Sequence, residues 1–414
     1  MSTVTTRARL RAAGATALAV AACALALAAC ALALAGPARA DGPNSGTPWV
    51  ATLGDSYISG EAGRWAGNTN GSSANTDALG STAYYDNATR TAEQITRCHR
   101  SWSAEAFVGG GVNAVNLACS GARTSTFTDS DGNFKPGLDF YSSGGNEGQA
   151  LRLQRFAAAN NVKLVVVSIG GNNFNFASII QTCLTDWLTS PSWWHDYCND
   201  DSSVTSNFTS GNVTTQTNAI RGAILNVRTA MSNAGYADGD YRILVQDYES
   251  PIPTGAGFRY GESGYTRQNT GGCGFWNADA NWANATALPT ISNAVHNAAT
   301  GTGLTNVLHM YLSSAFNGRR LCENTVGLLE ERGLANWRAA GAVDVSEWVE
   351  QIRTVSTIGS DYYVQESLHP NYWGQLALRN CLRQAWNGGA PRGGTCTRAA
   401  NGLNGSGEPQ MTLR

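Results

Sequence analysis

Short runs of continuous apolar residues alternate along this chain with longer stretches in which apolar positions recur every three or four residues. The first kind covers residues 49–53, 112–117, 164–169, 242–245 and 306–312. Runs this short, rich in Val, Ile and Leu and ending in glycine or polar sequence, suit strands buried on both faces. The second kind covers residues 148–159, 214–234, 289–299 and 373–386, and its spacing predicts helices with one apolar face. Strands alternating with helices predict a parallel sheet covered by helices on both sides. Residues 63–83, rich in Gly, Asn, Ser and Thr, read as a long surface loop; the tail after Ala390 is also polar and glycine-rich, and Cys396 is expected to staple it back to Cys381. No internal repeat or low-complexity linker divides residues 41–414, which are expected to form a single domain.

The N-terminus has a different pattern. Arg7, Arg9 and Arg11 precede an apolar run over residues 12–35, and Gly36-Pro37-Ala38-Arg39-Ala40 follows it. A basic start, an apolar middle and a small-residue end describe a secretory signal peptide over residues 1–40, cut after Ala40. The run is also long enough to span a bilayer, so an uncleaved anchor competes with that reading. Leu27-Ala28-Ala29-Cys30 resembles a lipoprotein cleavage box, but the apolar run continues past Cys30. Pro37 and the small residues Ala38 and Ala40 favour the cut after Ala40, and hence an extracellular protein.

Composition narrows the class. With 42% hydrophobic and 14% charged residues in 414, the chain is too apolar to be disordered. A formal charge of −2 argues against a nucleic-acid binder. The signal segment holds four arginines and no acid, so the remainder has 24 basic against 30 acidic residues and is mildly acidic. Eight cysteines lie beyond it, an even set that reads as disulfides in an exported protein. Zinc is the competing reading, but there is no C-x-x-C pair and no histidine at ligand spacing. Pairing in sequence order (Cys98–Cys119, Cys183–Cys198, Cys273–Cys322, Cys381–Cys396) closes the shortest loops and is the expected connectivity. Asp129-Ser130-Asp131-Gly132-Asn133 invites a calcium reading, but its glycine falls at the fourth position and not the sixth, so a solvated turn is expected. No metal and no cofactor is expected.

Candidate chemistry starts where the first strand ends, in Gly54-Asp55-Ser56-Tyr57-Ile58-Ser59-Gly60-Glu61. A serine just past the carboxyl end of a buried parallel strand faces the crevice where such sheets bind ligands. Serine needs a base, something to orient the base, and donors for an oxyanion. Of five histidines, His296 and His309 fall in helix and strand patterns, and His99 and His195 sit near cysteines in loops. His369 lies in Glu366-Ser367-Leu368-His369-Pro370-Asn371, a loop just ahead of the last helix, and is the better candidate. Two further turns follow strands, Cys119-Ser120-Gly121-Ala122 and Gly170-Gly171-Asn172-Asn173. A backbone N–H freed by glycine and an asparagine amide are donor types an oxyanion hole uses.

These four blocks, in this order, resemble the SGNH (GDSL) hydrolase superfamily, and Gly54-Asp55-Ser56-Tyr57 with Ser59-Gly60-Glu61 is similar to its secreted actinobacterial lipase and esterase branch. The fold this resemblance implies is a three-layer α/β/α sandwich with a central parallel, flavodoxin-like sheet and long disulfide-stapled loops. It implies Ser56 as nucleophile and His369 as general base, with the Ser56 and Gly121 N–H groups and the Asn172 side chain as the oxyanion hole. The chain departs from the family in having Asn173 where the third block usually ends in aspartate. It also has Glu366 at the place of the usual triad acid. Members of this branch resemble Ser–His dyads in which a main-chain carbonyl orients the imidazole. The carbonyl of Glu366 or Ser367 is therefore expected in that role, with the Glu366 side chain as the alternative.

The activity implied is hydrolysis of carboxylic esters of lipids, lipase-like or phospholipase-like. Two alternatives stand beside it: a carbohydrate acetyl esterase of the same fold, and a non-catalytic exported binding protein. Between Cys183 and Cys198 lie Trp187, Trp193 and Trp194, read as a stapled flap that touches acyl chains or a lipid–water interface, with burial over the core as the other reading. Trp65 and Trp102 are further candidates for the cleft. A monomer acting on a lipid or other ester, without nucleic acid, is expected.

Overall fold

The computed structural model describes residues 42–191, 193–352 and 365–414. The expected signal segment, with Cys30 and the cut after Ala40, lies outside the described residues. Among them no helix is long and apolar enough to cross a membrane.

The frame is a seven-stranded sheet made of β1 (Pro48–Gly54), β2 (Asn113–Asn116), β3 (Asn161–Ser168), β4 (Arg242–Gln246), β5 (Val307–Tyr311), β6 (Gly394–Leu403) and β7 (Pro409–Leu413). Its spatial order is β7-β6-β5-β4-β3-β1-β2. Strands β1 to β6 run parallel, and β7 closes one edge antiparallel to β6. The five apolar runs of the sequence are β1 to β5. Side chains alternate between two cores: Val50, Leu164, Val166, Leu244 and Met310 on one face, Ala51, Leu53, Val165, Val167, Ile243 and Val245 on the other. Each such Val, Leu, Ile or Met side chain, fully buried, contributes about 1.5–3 kcal/mol.

Helices cover both faces, which makes the fold a three-layer α/β/α sandwich. After the single turn α1 (Ser56–Ser59) come α2 (Gln149–Ala159), α3 (Phe176–Thr189), α4 (Ser210–Asn233), α5 (Leu288–Thr300) and α6 (Tyr372–Trp386). Leu153, Ile220, Ile224, Val227, Ile291 and Val295 from α2, α4 and α5 fill one core. Ile179 and Cys183 of α3 and Leu376, Cys381 and Leu382 of α6 fill the other. Disulfides join Cys98–Cys119, Cys183–Cys198, Cys273–Cys322 and Cys381–Cys396.

Two expectations are corrected. The first part of the segment read as a flap, up to Thr189, belongs to helix α3, whose Ile179, Ile180, Cys183, Leu184 and Trp187 form one apolar stripe. The polar tail, stapled through Cys396, forms the hairpin β6–β7, in which Pro409, Met411 and Leu413 alternate inward. The stretch over residues 63–83 is not all surface: Trp65, Ala66, Asn68 and Thr69 are buried, and the Asn68 amide donates to the Val349 carbonyl at 2.8 Å. Asp129 accepts backbone N–H bonds from Asp131 and Asn133, closing a turn between two short strands.

Candidate active site

The sheet order changes direction between β1 and β3, and the crevice that opens there at the carboxyl ends of the strands is where the candidate residues collect. At Gly54 φ is +141°, and a Cβ there would lie 1.8 Å from the Ser168 carbonyl oxygen, so only glycine lets β1 end beside β3. Gln149 clamps this residue: Gly54 N–H donates to its side chain at 2.8 Å and its amide donates to the Gly54 carbonyl at 2.9 Å. Asp55 then caps α1, accepting from Tyr57 N–H at 3.2 Å. It is buried, and that burial raises its carboxyl to about 7 despite the Tyr248 hydroxyl that donates to it at 2.5 Å.

Ser56 opens α1, buried but for a small part of its surface. His369 Nε2 lies 2.6 Å from Ser56 Oγ, and its Nδ1 lies 3.0 Å from the Ser367 carbonyl. With Nδ1–H donating to that carbonyl, Nε2 carries the lone pair that accepts from the serine. The backbone is tensioned at this point, because Leu368 adopts φ +62°. The loop is pinned from both sides. Tyr57 hydroxyl donates to the Leu368 carbonyl at 3.1 Å, and Glu350 N–H donates to the His369 carbonyl at 2.9 Å. Asn371 caps α6 by accepting from Trp373 and Gly374 N–H, and Gln375 donates from that helix to the Tyr57 carbonyl at 2.9 Å. Burial lowers the His369 pKa below the ordinary 6.5, against Glu61 and the Ser367 and Glu366 carbonyls, which pull it up.

Glu366 does not turn toward the imidazole. Its carboxyl is buried and accepts from Trp65 Nε1–H at 2.8 Å and from the Tyr84 hydroxyl. Burial, then the charge of Glu61, raises it to about 7.

The other two blocks meet beside this pair. Gly121 has φ +78° in the turn after β2, and the Cys98–Cys119 disulfide anchors that turn. The Asn172 amide reaches the same turn, donating to the Ala122 carbonyl at 3.0 Å. Asn173 ties the two loops together, accepting from Thr124 N–H at 3.1 Å and donating to the Thr124 hydroxyl at 2.9 Å. Tyr248 bridges the set, since its hydroxyl accepts from Gly171 N–H at 2.9 Å while donating to Asp55.

The tryptophans separate. Trp187 is wholly buried, its ring 4.2 Å from that of Trp276, so it belongs to the core and does not line a substrate path. Trp193 and Trp194 are 80% and 71% exposed. Trp65 is a core residue bonded to Glu366, and Trp102 packs under the Arg90 guanidinium. Gln149, Tyr248 and Glu61 are not among the sequence candidates; for Glu61 the signal was its place in the Ser59-Gly60-Glu61 block, while Gln149 and Tyr248 carried none, and His99, weighed as a loop histidine, pairs with Glu61 and not with Ser56.

No protein-family model matches the chain, and no curated protein matches it. Among solved structures it is similar to an extracellular lipase from Streptomyces rimosus, with 19% identity and a TM-score of 0.39 over 80% of this chain and 95% of that one. It is similar to phospholipase A1 from Streptomyces albidoflavus NA297, with 18% identity and a TM-score of 0.41 over the same shares of 80% and 95%. It is also similar to a family two carbohydrate esterase from Clostridium thermocellum, with 11% identity and a TM-score of 0.35 over 82% of this chain and 63% of that one. In its four sequence blocks, and in the sheet edge at which the fold gathers them, the chain resembles the SGNH hydrolases.

Proposed function

We propose that this chain is an exported serine hydrolase that cleaves carboxylic esters of lipids by way of an acyl-enzyme. The observation that carries the proposal is the Ser56 Oγ to His369 Nε2 distance of 2.6 Å, with the imidazole backed by the Ser367 carbonyl at 3.0 Å. His369 takes the Ser56 proton as Oγ attacks the ester carbonyl. The oxyanion that forms is held by the N–H groups of Ser56 and Gly121 and by the Asn172 amide, which leaves the Ala122 carbonyl to reach it. The imidazolium returns the proton to the departing alcohol. Water, deprotonated by the same histidine, then attacks the acyl-enzyme, and the imidazolium returns that proton to Ser56 Oγ as the acid leaves. Four disulfides suit work outside the cell.

The test is a p-nitrophenyl ester series followed by mass spectrometry of products from a defined phosphatidylcholine. Turnover that rises from acetate to medium and long chains, and that Ser56→Ala abolishes, is the expected result. Turnover of acetate alone points to an acetyl esterase, and no turnover of any ester refutes the proposal.

A further inference from the structure

Next to the segment that carries His369 sits a buried charged cluster that the acyl-transfer steps leave unused. Glu61 has no solvent exposure, and its Oε1 lies 2.6 Å from Nδ1 of His99, itself buried. The Tyr84 ring stacks on His99 with centroids 4.4 Å apart, and Glu93 lies 3.7 Å from His99 Nε2. A buried ion pair adds little net stability over apolar residues of the same shape, because desolvating two charges costs several kcal/mol. Its connections suggest another use. The second oxygen of Glu61 accepts from the Gln365 amide at 2.9 Å, and the same amide nitrogen is 2.8 Å from Ser120 Oγ and 3.2 Å from the Arg97 carbonyl. Gln365 stands two residues before Ser367, and Ser120 stands next to Gly121. Tyr84 continues the chain of contacts, donating from its hydroxyl to Glu366.

We infer that Glu61, held by His99, is a positioning residue that does the work of the missing triad acid from a distance. Through Gln365 it fixes the Ser367 carbonyl behind His369 and the turn that presents Gly121. Its negative charge favours the imidazolium that forms when Ser56 attacks. This inference rests on the Ser–His reading above. The electrostatics agree in direction. Burial pushes the Glu61 carboxyl up, but the electrostatic pull and hydrogen bond of His99 outweigh it and hold the group at about 2, so Glu61 stays ionised throughout the working range. Burial pushes His369 down and Glu61 is the leading influence that pulls it back up. Among the described residues, the other ionisable groups facing the cluster include Glu93, Glu350, Glu366, Tyr84, Arg97, whose guanidinium is 3.5 Å from the Gln365 side-chain oxygen, and Lys135, whose ammonium donates to the Arg97 carbonyl at 3.0 Å.

The experiment compares wild type, Glu61→Gln and Gln365→Ala on a soluble p-nitrophenyl ester across pH, with thermal unfolding as the folding control. Glu61→Gln removes the charge; kcat is expected to fall by about 10–10²-fold with KM nearly unchanged, and the acid limb of kcat/KM to move to lower pH. Gln365→Ala breaks the link and leaves the charge; kcat is expected to fall several-fold with the acid limb in place. A merely structural pair would lower the unfolding temperature and leave the limb of the folded enzyme where it was, and that result overturns the inference. Should Glu61→Gln not fold, an unchanged kcat in Gln365→Ala overturns it. An inactive wild type, or full activity in Ser56→Ala, would count against the Ser–His reading instead.

Discussion

Glu366 stands where a triad acid is usual, and replacing it with glutamine separates two ways of orienting a histidine. The imidazole Nδ1 is 3.0 Å from the Ser367 carbonyl, while the Glu366 oxygens accept from Trp65 and Tyr84. Glutamine keeps the volume and can still accept from Trp65 with its oxygen and donate to Tyr84 with its amide. Activity is therefore expected to stay within about threefold, against the roughly 10⁴ lost when the orienting acid of a Ser-His-Asp triad becomes its amide. Stability should respond more than rate. The carboxyl is raised from 4.5 to about 7, so the folded state resists its ionisation. Relative to the glutamine variant, wild type has its full stability below about pH 4.5 and loses it as pH climbs through 7. A shift of that size corresponds to about 3 kcal/mol. Urea unfolding of both proteins from pH 4 to 8, with kcat at each pH, measures the two effects together. A loss of kcat beyond a hundredfold, or a stability difference that does not change with pH, would refute the reasoning.

Three further outcomes follow from the same geometry. Asn172→Ala removes one oxyanion donor and should lower kcat by about 10²–10³ with little change in KM, read in steady-state kinetics on a soluble ester. His369 must be neutral to act as base, and its pKa is lowered by burial, so kcat/KM should reach half its plateau below pH 6.5. Trp193 and Trp194 are the most exposed large apolar side chains, so Trp193→Ala with Trp194→Ala should leave hydrolysis of a soluble ester unchanged and reduce hydrolysis of phosphatidylcholine vesicles; equal loss on both would make the pair structural.

The parts of this molecule that were legible in its sequence are those with a local signature. Strands buried on both faces show as apolar runs, so β1 to β5 and the direction of the sheet could be read directly. Ser56, Gly121, Asn172 and His369 each follow a strand or precede a helix within a few residues, which made them candidates; their expected roles came from the resemblance of the four blocks. Helix α3 carries Ile179, Cys183 and Trp187 at helical spacing, but the cysteine pair Cys183–Cys198, which starts in the middle of the helix and ends beyond it, favours a loop reading of its second half. The hairpin β6–β7 is an edge with one polar face, and alternation over the short run from Pro409 to Leu413 is easily lost among the glycines before it. What no pattern announces is a partnership across the fold. Gln149 clamps a residue 95 positions away, and Glu61 meets Gln365 across 304.

The same distinction explains why the histidine can dispense with an acid on Nδ1. A carboxylate three residues upstream is the economical solution when the loop leaves that side chain beside the ring. Here Leu368 at φ +62° turns the chain so that the Ser367 carbonyl occupies the place, and Glu366 is carried into the core between Trp65 and Tyr84. A carbonyl gives direction but no net charge, and the imidazolium formed during attack gains less from a dipole than from an anion. Glu61 is a buried carboxylate that stays ionised, its pKa held down by His99 at 2.6 Å against the cost of burial. Orientation and charge, combined in one residue of a triad, are thus divided between a backbone oxygen and a side chain 306 positions earlier in sequence than that oxygen.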